Sequence, residues 1–91
     1  EATGELSVLQ DFSAPDEEAG AEELQRATLH AIEQLPDDLK QALTLRELEG
    51  MSYDEIALAM NCPIGTVRSR IFRARDHVVQ EISQQFPGTF L

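Results

Sequence analysis

The chain has 91 residues, of which 42% are hydrophobic and 26% charged, and a formal net charge of −10. That length suits one small domain with an appendage and is too short for two cores. No apolar run approaches the roughly 20 residues of a membrane span, and the only cysteine, Cys62, excludes an internal disulfide and a zinc site built on paired thiolates. The opening EATGELSVLQDF has neither the basic start and apolar stretch of a signal peptide nor an initiator Met. It reads as part of a longer cytoplasmic protein.

Residues 1–12 scatter Leu6, Val8, Leu9 and Phe12 among Gly, Ser, Glu and Asp without a sustained period, the pattern of an acidic linker or disordered tail. A domain is expected over residues 13–85. Ser13, Pro15 and the acids Asp16, Glu17 and Glu18 supply a cap, an early proline and a first turn that suits the helix dipole. Gly20 weakens the start, so the well-formed part begins nearer Ala21. Leu24, Ala27, Ala31, Ile32 and Leu35 make the apolar stripe of this first helix. Pro36 closes it and suits the first turn of a second helix, which runs through Asp37, Leu39, Leu43, Arg46 and Leu48 to Gly50. Ser52-Tyr53-Asp54-Glu55 spells a capping box for a short third helix with Ile56, Ala57 and Met60 inward. Asn61-Cys62-Pro63 breaks the pattern, because Asn tolerates the left-handed conformation and the residue before proline avoids the helical one. Val67, Ile71, Ala74, Val78 and Ile82 then mark one face of a long fourth helix. Residues 86–91 read as tail. The fold class is all-α: a four-helix domain with a C-terminal helix-turn-helix over about residues 53–84.

The charge is unevenly placed. Up to Leu35 there are nine acids and one base, whereas Cys62 to Arg75 holds four arginines and no acid. A phosphate backbone meets the local field of one face, so the negative total does not argue against nucleic acid. On a wheel of the fourth helix, Ser69, Phe72, Arg73 and Asp76 lie opposite the apolar stripe, with Arg68, Arg70 and Arg75 on the flanks. A major-groove helix uses central side chains for base edges and flanking guanidinium groups for phosphates. An outward Phe72 is costly in water unless a thymine methyl or a sugar covers it. The plain alternative is a solvated basic face satisfied by internal salt bridges. Cys62 reads as a small core residue, and His30 and His77 as helix-surface residues with no ligand partner at metal spacing. There is no Gly-rich phosphate loop, HExxH or nucleophile with a nearby base, so the chain does not read as an enzyme and calls for no cofactor.

From Leu35 the run LPDDLKQALTLRELEGMSYDEIALAMNCPIGTVRSRIFRARD resembles domain 4 of bacterial extracytoplasmic-function sigma factors, within the sigma-E group. The specific parts are LRELEGMSYDEIA and CPIGTVRSRIFRAR. The resemblance implies a domain that reads double-stranded promoter DNA at the minus-35 element and docks on the β flap of RNA polymerase, making no chemistry itself. It assigns base reading to Arg68, Ser69, Phe72 and Arg73, and backbone contacts to Thr66, Arg70 and Arg75. It further implies stress-response regulation by an anti-sigma factor, in which case apolar surface on the first two helices, including Leu39 and Leu43, is either partner site or internal core. The rivals are a response-regulator output domain, which usually has Lys and His where SRIFRAR stands here, and a protein-interaction module with the same fold.

Overall fold

The computed structural model describes residues 18–88, and these form four helices: α1 (Glu18–Glu33), α2 (Asp37–Glu47), α3 (Tyr53–Met60) and α4 (Ile64–Gln85). The expected linker of residues 1–12 and the cap at Ser13 lie outside the described residues, as do residues 89–91.

The helix boundaries follow local chemistry. Pro36 caps α2 from outside with φ −54° and ψ 151°, one position earlier than a first-turn proline, because its carbonyl already accepts the Lys40 amide at 2.8 Å. Asp37 and Asp38 fill the first turn, where the dipole favours them. The helix stops at Glu47, short of Gly50. The Leu48 and Glu49 amides both donate to the Thr44 carbonyl, and the chain then turns at Gly50 in the left-handed region with φ 72°. The capping box of α3 is complete: Ser52 Oγ accepts from the Glu55 amide at 3.0 Å, and Glu55 Oε1 accepts from the Ser52 amide at 2.8 Å. Asn61 ends α3 in the left-handed region at φ 54°, and Pro63 caps α4. With the hydroxyl limb of the box removed, Ser52→Ala is expected to lower stability by about 0.5–2 kcal/mol, measured by urea unfolding.

Packing makes two clusters on one spine. Val67, Ile71, Ala74, Val78 and Ile82, the stripe legible in the sequence, are all buried along α4. Its C-terminal half meets Leu24, Ala31, Ile32 and Leu35 from α1 and its end, and Leu39 and Leu43 from α2. The N-terminal half meets Ala42 and Ile56, with Leu45, Met51, Tyr53, Ala57, Met60 and Cys62 partly buried around them. Leu39 and Leu43 are therefore internal core, the second of the two alternatives left open for them by the sequence. Thr28, also buried on α1, is satisfied by donating its hydroxyl hydrogen to the Leu24 carbonyl at 2.8 Å. The short α3 and the N-terminal half of α4 are joined by the Asn61–Pro63 turn, which gives the expected helix-turn-helix.

Candidate nucleic-acid interface

Burying the apolar stripe of α4 dictates what its other sides present. Phe72, 73% exposed, and the neighbouring Arg73 point to solvent, and Arg68 is exposed one turn earlier. Thr66 and Ser69 are half-buried. Ser69 is thus more covered than its place on the wheel implies, and Arg68 is more open. A wheel treats the helix in isolation, whereas α3 and its turn pack beside the N-terminal half of α4 and contribute to what is covered there.

The other two arginines have internal partners. Arg70 lies 3.7 Å from the Asp38 carboxylate of α2, and its Nη1 is 3.8 Å from Cys62 Sγ and 4.0 Å from Met60 Sδ. Arg75 donates Nε to Glu47 Oε2 at 3.0 Å and also donates Nη2 to the same oxygen. Glu47 is 0% exposed. A buried carboxylate is tolerable only when paired, so Arg75 is in the first place the counter-ion of Glu47. The side chains of Arg70 and Arg75 remain 24% and 29% exposed. Two acids of α2 therefore flank the basic helix from behind, while Arg68 and Arg73 carry the open positive charge around Phe72.

Four residues that the sequence did not assign to the site join it here: Asp38, Glu47, Arg46 and Tyr53. Glu47 sits four residues after Leu43 and eight after Leu39, so its place on the buried stripe of α2 was the available signal for an ion pair with the arginine helix. Arg46 and Tyr53 gave no comparable signal. The Arg46 guanidinium lies 4.5 Å from the centre of the Tyr53 ring, and that of Arg68 lies 5.8 Å from the same centre. Arg46 Nη1 also donates to the Met51 carbonyl at 2.6 Å. Nothing within the fold requires glycine at Gly65 near the start of α4, where a Cβ would meet open space.

Among the described residues no group of His, Cys, Asp or Glu side chains could hold a metal ion, and no helix is long and apolar enough to cross a membrane. His30 and His77 are exposed, on α1 and α4.

Comparison with known proteins matches residues 25–78, more than half of the chain, to the family model "Sigma-70, region 4". The chain is 54% identical over 74 residues to an ECF RNA polymerase sigma-E factor of Haemophilus influenzae, covering 81% of this chain and 39% of that protein. It is 51% identical over 75 residues to the proteins of the same name from Escherichia coli K12 and Salmonella typhimurium LT2, covering 82% of this chain and 39% of each. It spans about two fifths of the length of these relatives.

Proposed function

Because the chain belongs to the sigma-70 region 4 family, we propose that it is the promoter-recognition domain of an extracytoplasmic-function sigma factor, which places α4 in the major groove at the minus-35 element. The observation that carries this reading is Phe72, an aromatic side chain held 73% exposed between two open arginines on the second helix of a helix-turn-helix. Water disfavours that arrangement, and a groove offers an apolar thymine methyl for the ring and acceptors for the guanidinium groups.

Arg68, Ser69, Phe72 and Arg73 are assigned to base edges, and Thr66, Arg70 and Arg75 to the backbone. Arg70 and Arg75 are already met by Asp38 and Glu47. Each therefore releases less than a full counterion on binding, so these two backbone contacts are expected to give a shallower salt dependence than two unpaired arginines would. The domain acts in the cytoplasm by positioning RNA polymerase, with no catalysis of its own. Leu29, Leu48 and Leu58 are large apolar side chains left exposed outside α4. They are the candidates for contact with the polymerase β flap and with an anti-sigma factor. The family match does not favour a response-regulator output domain.

Arg73→Ala is expected to weaken binding to a minus-35 duplex by about 1–3 kcal/mol and to relax preference at one base position. Competition by a set of single-base variants in fluorescence anisotropy checks this. A loss spread uniformly over all sequences would instead make Arg73 a phosphate contact.

A further inference from the structure

Arg68 is exposed, yet its guanidinium does not stand alone over α4: it lies 5.8 Å from the centre of the Tyr53 ring, within cation–π range. We infer that Tyr53 is a positioning residue for DNA reading, an aromatic platform on α3 that holds the Arg68 guanidinium where it meets the duplex.

The platform is itself anchored. Tyr53 is the first residue of α3, directly after the Ser52 of the closed capping box, so its backbone is fixed at the helix start. Its ring packs against the cluster of Ala42, Ile56, Val67 and Ile71. Arg46, tied by Nη1 to the Met51 carbonyl at 2.6 Å, lies 4.5 Å from the ring centre and supports it from α2. Side chains of α2, α3 and α4 thus meet at one ring. An arginine on a solvated face loses rotamer freedom when it is fixed against a ligand. Contact with a ring that is already held takes up part of that loss before DNA arrives. The face of the ring provides this interaction and the hydroxyl does not.

The inference rests on the proposed reading of DNA by α4, and its test separates the two. Binding to a minus-35 duplex is measured for Tyr53→Phe, Tyr53→Leu, Arg68→Ala and the double variant Tyr53→Leu/Arg68→Ala. In parallel, the chemical shifts of the Arg68 side-chain protons are followed by NMR in the free protein. Tyr53→Phe is expected to bind as the parent does. Tyr53→Leu is expected to lose about two- to fivefold in affinity, the equivalent of one exposed cation–π contact. The same change in the Arg68→Ala background is expected to have no further effect. The Arg68 δ-methylene protons are expected to show an upfield ring-current shift that Tyr53→Phe keeps and Tyr53→Leu abolishes. An equal loss from Tyr53→Phe would overturn the platform by making the hydroxyl the contact. An undiminished loss from Tyr53→Leu in the Arg68→Ala background would overturn it by showing that Tyr53 does not act through Arg68. Should no duplex bind at all, the DNA reading fails and takes the positioning role with it, whereas DNA binding with no ring-current shift on Arg68 overturns the platform alone.

Discussion

Arg75→Ala is expected to lower the unfolding free energy by about 3–5 kcal/mol, because it strands the Glu47 carboxylate in the core without its counter-ion. Glu47 is 0% exposed, Arg75 supplies two donors to its Oε2, and its other oxygen is buried with no partner. A domain of this size has on the order of 5–15 kcal/mol to lose, so the variant is expected to be partly unfolded under mild denaturant. Desolvation penalises the pair itself. Replacing both partners with apolar residues, Glu47→Met with Arg75→Met, is therefore expected to return stability close to that of the parent. Urea unfolding of the single and double variants checks both statements. A change below about 1 kcal/mol for Arg75→Ala would mean that Glu47 is reached by water. Loss of DNA binding on Arg75→Ala is interpretable only alongside this measurement, since the arginine holds the fold together before it can touch a phosphate.

Ile56→Ala is expected to have an effect of similar size, about 2–5 kcal/mol. The helix α3 has eight residues, and Ile56 is the only one of them that is fully buried. It fills the space between Ala42, Val67 and Ile71. Losing its side chain leaves α3 with its capping box and half-buried neighbours, so the helix-turn-helix separates before the α1–α2 cluster does. Leu58, two residues on and 83% exposed, is the control. Leu58→Ala is expected to change stability by no more than about 0.5 kcal/mol. Thermal melts and hydrogen exchange of the α3 amides distinguish local loss of α3 from global unfolding.

Periodicity and caps made the architecture legible. The five apolar residues of α4 recur at helical spacing and all are buried, and the capping box and the left-handed Asn61 stand where their residue types put them. Such features are local, resting on one helix period or four consecutive residues. What the sequence did not disclose depends on contacts between distant residues. Glu47 shares the stripe of Leu39 and Leu43, but which base meets it is decided only when α4 brings Arg75 to it across 28 positions. Tyr53 becomes a platform only when α2 and α4 bring arginines to it. The side of α4 that faces out followed from the stripe, which placed Phe72 and Arg73 correctly as exposed, whereas the degree of cover on Ser69 and Arg68 depends on the neighbouring elements. Likewise, counting arginines overstated the open positive charge, because Asp38 and Glu47 meet two of the four.

The central claim, that the face of Arg68, Phe72 and Arg73 reads bases, is tested most directly by titrating the chain against two short duplexes at two salt concentrations in fluorescence anisotropy. One duplex carries a GAAC-type minus-35 element and the other the same bases scrambled. Tighter binding to the true element at both salts is predicted, with log affinity falling against log salt by about 0.9 for each phosphate contact. Equal affinity for the two duplexes would contradict base reading by α4.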